Sequence, residues 1–119
     1  MTTRERMSIP TSFNKLQLIK LVQARPALWD KTKDSYRRKI LKDAAWHEIC
    51  RIIKKDYDNL SGPEQQNFYR RVGKIWRHIR DSWARSLNAR KKAKKFGGSV
   101  RPYKYNREMA FLKKVKGPT

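Results

Sequence analysis

The sequence predicts an all-α fold: a bundle of three helices, with a long third helix and a short C-terminal fourth helix. Three observations predict it. Apolar residues recur three and four apart in three separate stretches, the spacing that gathers side chains on one face of an α-helix. Capping and breaking residues bracket those stretches. No segment keeps the two-residue alternation of a half-buried strand, and no internal repeat is visible.

Residues 1–12 read as a flexible basic N-terminal tail carrying Arg4 and Arg6, and 116–119 as a C-terminal tail, which leaves 13–115 for the domain. In Asn14-Lys-Leu-Gln17, Asn14 suits an N-cap with Gln17 reaching back. A first helix then runs through LQLIKLVQAR, with Leu18, Ile19 and Val22 inward and Leu21 at the edge of that face. Pro26, which has no N–H to donate, stops it. Leu28 and Trp29 follow in a connector and are expected to plug the core from a loop.

The second helix is expected over 36–55, with Leu41, Ala45, Trp46, Ile49, Ile52 and Ile53 as its apolar arc. Arg37, Arg38 and Lys39 fall in its first turn, the end of a helix that already carries partial positive charge. They are either a tolerated surface cluster or a set of cations compensated by an anion from outside the chain. Asp56-Tyr-Asp-Asn-Leu-Ser-Gly-Pro63 then breaks the pattern. Ser61 with Glu64 forms a capping box, with Pro63 in the first turn, so a third helix starts at Ser61 and runs to about Arg90.

That third helix has two faces. Phe68, Val72, Ile75, Trp76, Ile79, Trp83, Ser86 and Leu87 share one arc; Arg70, Lys74, Arg77, Asp81 and Arg85 lie opposite, flanked by Arg71 and His78. Solvated helix faces ordinarily mix charges of both signs. Here Asp81 is the only acid between Arg70 and Arg101. Gly73 sits near the boundary of the two faces, where a mid-helix glycine costs roughly 0.5–1 kcal/mol relative to alanine. Three roles are open to it: close approach of a neighbouring backbone, which is favoured, a bend, or separation of a short helix (62–72) from the main one. ARKKAKKFGGSVRP, residues 89–102, is a basic stretch ending in a Gly-Gly turn. It suits a frayed helix end, a phosphate-contacting arm or a nuclear import signal. Tyr103, Tyr105, Met109, Phe111, Leu112 and Val115 suggest the short fourth helix packing back on the bundle.

The chain has 119 residues, 38% of them hydrophobic, with four Trp, enough for one domain with one core. No apolar run approaches the roughly 20 residues that span a bilayer, and MTTRERMSIP lacks the apolar stretch of a secretory signal. The single Cys50 suits a helix packing position and a reducing compartment. One Cys with His47 and His78 makes no metal site by spacing, and no cofactor motif is present. There is no phosphate loop, no HExxH and no nucleophile with a base nearby in sequence, so the chain is not expected to be an enzyme.

The net charge is +21, from 31 basic and 10 acidic residues. Residues 62–119 carry 17 of the former and 3 of the latter. An excess of this size opposes compaction and points to a polyanionic partner. Double-stranded DNA leads, because neutralising its phosphates releases counterions. A membrane surface is disfavoured, since the Trp and Ile of the basic helix belong to its core face. RNA finds no exposed aromatic platform. Three helices, each with a Trp in or near it, suit a helix-turn-helix bundle whose third helix enters a major groove about 12 Å wide. Gln65, Gln66, Asn67, Arg70, Arg71 and Lys74 have the side chains that read base edges; Arg77, His78, Arg80, Arg85 and the 90–95 cluster suit phosphates.

LIKLVQARPALWD, then Tyr36…Leu41-Lys-Asp-Ala-Ala-Trp46-His-Glu-Ile49, then Val72…Trp76-Arg-His-Ile79-Arg-Asp81-Ser-Trp83, then Tyr103…Tyr105…Met109-Ala-Phe-Leu112 together resemble a MADF domain, over residues 16 to about 113. That family is Myb/SANT-like and occurs in transcription and chromatin factors. The resemblance implies a three-helix Myb/SANT-like core with an appended last helix, DNA binding through helix three, and a nuclear location. The residues carried forward as DNA-binding are Asn67, Arg70, Arg71, Lys74, Arg77, His78, Arg80 and Arg85, with Arg37, Arg38, Lys39, Lys91 and Lys92 at the flanks. Some members bind proteins instead. A +21 domain would repel basic histone tails and attract an acidic coregulator, which is the alternative partner.

The chain departs from the family pattern in two places. The interval between Trp46 and Trp76 is longer by about a dozen residues, with the excess at 55–67, so Ser61–Gln66 is an extra turn, a separate helix or a loop. The positions of Gly73 and Ile75 are more often polar or basic.

Overall fold

The computed structural model describes residues 14–115, and the tails expected at 1–12 and 116–119 lie outside the described residues. Helix α1 (Lys15–Gln23) begins at Asn14, whose Oδ1 accepts the Gln17 backbone N–H at 2.7 Å. It buries Leu18, Ile19 and Val22. Arg25 then fastens the end of α1 to the next helix, donating to Leu21 O at 2.9 Å and to Glu48 Oε1 at 2.6 Å. Pro26–Leu28 form one 3-10 turn. Leu28 and Trp29 pack half-buried against the core, as expected of a plug. Trp29 meets Phe111 edge-on at 4.9 Å and donates its indole N–H to Gln23 O at 3.1 Å.

Helix α2 (Lys39–Ile53) begins later than the expected Tyr36. Asp34–Arg37 form a separate 3-10 turn, and Arg38 is extended. Its buried residues are Ala45, Ile49, Cys50 and Ile53. Leu41 and Ile52, expected inside, are 39% and 44% exposed. On the helical wheel they fall at the margin of the arc running from Ala45 to Cys50. Trp46 is only half-buried.

The interval after α2 has no helical period, yet it supplies core. A 3-10 turn (Tyr57–Asn59) buries Tyr57, and Leu60 is buried behind it. The Tyr57 hydroxyl lies 2.7 Å from His47 Nδ1. Its acids are used locally: Asp58 takes both hydrogen bonds from Arg51 Nε, at 2.9 and 3.1 Å, and Asp56 lies 3.4 Å from Lys54 Nζ.

Helix α3 (Gly62–Lys95) begins with the expected capping box. Ser61 Oγ accepts the Glu64 N–H at 3.2 Å, and Glu64 Oε1 accepts the Ser61 N–H at 3.0 Å. Ser61–Gln66 is therefore an N-terminal extension of α3 itself. The helix is continuous through Gly73, with no separate short helix. The favoured close approach at Gly73 does not hold either, because a Cβ built there meets nothing within 4 Å. Phe68, Val72, Trp76, Ile79 and Trp83 are buried in one core cluster with residues of α1, α2 and the C-terminal segment. At 1.5 Å per residue α3 is about 50 Å long, close to the 55 Å longest extent of the molecule.

α3 stops in a paired C-terminal motif: Gly97, at φ 78°, donates to Lys94 O, and Gly98 donates to Ala93 O at 2.7 Å. The chain then doubles back. Tyr103 N–H reaches Ser86 Oγ at 3.0 Å, Asn106 Oδ1 accepts the Trp83 indole N–H at 3.1 Å, and Met109 and Phe111 are buried. The expected fourth helix is a run of turns ending in a 3-10 segment (Ala110–Val115). So short a piece cannot repay α-helix nucleation, and tertiary contacts of Met109 and Phe111 hold it instead. Among the described residues there is no strand.

Candidate nucleic-acid interface

Burial of the apolar stripe of α3 decides where its cations go. With Val72, Trp76, Ile79 and Trp83 turned into the bundle, residues half a turn away must face outward. Asn67, Arg70, Arg71, Lys74, Arg77, His78, Arg80 and Arg85 are all exposed. Their surroundings are poor in acid. Asp81 lies 3.6 Å from Arg80, both partly exposed, and Arg85 donates to Ser82 Oγ at 3.3 Å. Among the described residues Arg70, Lys74 and Arg77 form no ion pair. Gln65 is taken by the fold, donating to Tyr57 O at 3.0 Å.

These cations divide between two sides of one helix. Asn67, Lys74, His78 and Arg85 point away from the bundle. Arg70, Arg77 and Arg80 lean toward α2, where they line one cleft with Lys39 and Lys42. The α2 terminus thus joins the α3 surface. Arg37, Arg38 and Lys39 are exposed around an N-terminus that has no side-chain cap and no acid in its first turn. Fixed cations and the positive end of the helix dipole therefore add, with nothing of opposite sign in that turn.

Lys91 and Lys92 are set apart from this group. They are exposed on the last turns of α3, beyond Leu87, the last apolar residue of the helix packed on the core. Arg90, Lys94 and Lys95 share that overhang, and Phe96 at its end is 81% exposed. The arrangement is a ridge of positive charge continued by a basic rod, a form that attracts a polyanion.

Cys50 is wholly buried, and burial pushes its thiol up to about 12, so it is a core residue. Among the described residues no cluster of His, Cys, Asp or Glu has metal-binding geometry, and no helix is long and apolar enough to cross a membrane.

What sequence reasoning missed is the cleft beside Gly73, where α2, α3 and the 26–37 connector meet. No local pattern encodes it, although a glycine on the margin of an apolar stripe was a signal of space there. Residues 18–112 match the profile of the family described as alcohol dehydrogenase transcription factor Myb/SANT-like. No curated protein and no solved structure matches the chain.

Proposed function

Because the chain belongs to the MADF family of Myb/SANT-like DNA-binding domains of transcription-factor type, we propose that α3 lies with its exposed cationic face in the major groove of duplex DNA. The observation that carries this reading is the one-sided order of α3: its Trp and Ile stripe is buried while Arg70, Lys74, Arg77, His78 and Arg85 are all exposed. A helix 10–12 Å across its side chains fits a groove about 12 Å wide.

In this reading Asn67, Arg70, Arg71 and Lys74 approach base edges. Arg77, His78, Arg80 and Arg85 approach the phosphates on either side. Arg37, Arg38 and Lys39 offer one further phosphate a cationic helix N-terminus. A straight rod of about 50 Å leaves a curving groove before its end, so Lys91 and Lys92 cross the sugar-phosphate backbone rather than read bases. Such a domain acts in the nucleus, as part of a transcription or chromatin factor. Substrate chemistry has no place in it.

The test is duplex binding against salt. A protein making about 6–10 phosphate contacts loses about 10³–10⁵ in affinity between roughly 50 and 200 mM salt. Weak binding that ignores salt would reject the reading. A second reading, recruitment of an acidic coregulator, is favoured by one observation: the basic cleft beside Gly73 has an apolar floor, which phosphates do not require.

A further inference from the structure

The cleft beside Gly73 measures about 390 Å³. Its rim is cationic, formed by Lys39 and Lys42 of α2 and Arg70, Arg77 and Arg80 of α3. Its floor is apolar and aromatic: Trp46, Tyr69 and Trp76, with bare backbone at Gly73. The one acid on it, Asp43, is already engaged, accepting the Tyr69 hydroxyl at 2.7 Å. A second cleft of about 360 Å³ lies further along α3, with Trp29, Trp83 and Leu112 in its lining. The two share Leu28, Tyr36, Trp76 and Arg80, so they form one trough with two seats. Their α3 walls are centred about two helical turns apart, roughly 10 Å.

We propose that this trough receives an acidic segment of a partner protein, with one large apolar side chain in each seat and its carboxylates on the flanking cations. The claim rests on the coregulator reading and gives it a site. Charge complementarity selects the occupant. Together the two clefts are lined by six cations, Lys31, Lys39, Lys42, Arg70, Arg77 and Arg80, against two acids, Asp43 hydrogen-bonded to Tyr69 and Asp81 lying 3.6 Å from Arg80, so an acidic chain is attracted and a basic one repelled. The depth selects the anchors. A seat floored by Trp and Tyr gains from burying an aromatic or aliphatic side chain, and binding energy concentrates at such seats. A sugar-phosphate chain would satisfy the rim and leave the floor unused. Arg70 and Arg77 border both this trough and the face assigned to DNA, so duplex and acidic segment compete for the protein.

The experiment uses the full chain and two labelled acidic peptides. One carries two phenylalanines two helical turns apart; in the other both are alanine. The native protein should prefer the aromatic peptide at least about tenfold, with a shift in tryptophan fluorescence from Trp46 and Trp76. Gly73→Phe, which fills the first seat, should erase that preference while helicity and duplex affinity hold. Gly73→Ala, which leaves the seat open, should retain it. Equal binding of both peptides by the native protein would overturn the trough while leaving a charge-driven acidic partner standing. A Gly73→Phe protein that keeps the preference, or a Gly73→Ala protein that loses it, would also overturn it. If Gly73→Phe weakens duplex and peptide equally, the trough belongs to the DNA surface and the proposal falls.

Discussion

The Tyr69 hydroxyl donates to Asp43 Oδ1 across 2.7 Å, tying the N-terminal part of α3 to the first half of α2. The bond engages one of the two carboxylates that line the basic trough, the other being Asp81. Tyr69→Phe removes the donor and leaves a half-buried acceptor to water, which should cost about 1–3 kcal/mol in stability. Urea unfolding at neutral pH measures it. An unchanged midpoint would show that this bond does not hold the helices together.

Gly73→Ala should stabilise the protein by about 0.5–1 kcal/mol, since alanine is the better helix former and its methyl meets no neighbour within 4 Å. A higher melting temperature with unchanged spectra is the expected result. A lower one would show that the backbone at Gly73 is under a constraint absent from its surroundings.

The tryptophans should separate by depth. Trp83 and Trp76 are 2% and 4% exposed, and Trp83 also donates to Asn106. Replacing either with alanine should cost about 3–5 kcal/mol, enough to unfold a marginal domain. Trp46→Ala, at a half-buried site on the trough floor, should cost distinctly less and leave the domain folded. Thermal melts of the three variants give the ranking.

Charge reversal at Arg70 and Arg77 together should abolish duplex binding while leaving helicity and melting intact, because both are exposed and unpaired with acids among the described residues. Gel shifts alongside circular dichroism test this. Undiminished binding would remove α3 from the DNA contact.

Alkali should weaken the fold. Burial raises Cys50 from 9.0 to about 12 and holds the Tyr57 and Tyr69 hydroxyls above their ordinary value of 10.0, with the Asp43 hydrogen bond adding to the rise at Tyr69. In each case the native state keeps a proton that the unfolded chain releases. Their stabilising contribution is therefore complete below pH 9.0 and declines above it, Cys50 first and the tyrosines from 10.0 upward. Urea midpoints taken between about pH 8 and about pH 11 should be flat and then fall. A midpoint that rises in alkali would contradict the assignment.

The parts of this fold that follow a helical period or a capping rule were legible in the chain. Asn14 caps α1, Ser61 and Glu64 box the start of α3, and the stripe from Phe68 to Trp83 is buried. The exposure of Arg70, Lys74 and Arg77 follows from that stripe by rotation alone. Tyr57 and Leu60 escaped because a 3-10 turn carries no period that marks its inner residues. Leu41 and Ile52 were misassigned because hydrophobicity does not say how wide an arc two neighbouring helices can cover. The trough escaped because its walls come from three segments far apart in sequence.

The overhang at the end of α3 has a thermodynamic consequence. Arg90, Lys91, Lys92, Lys94 and Lys95 repel one another along the turns that follow Leu87, the last α3 residue packed on the core among the described residues, and their backbone ladder closes at the Gly97–Gly98 stop. A polyanion laid against them would cancel that repulsion and stiffen the rod. Capture of a ligand there should therefore register as increased ellipticity and slower amide exchange at 88–95, an ordering that taxes affinity in return for reach.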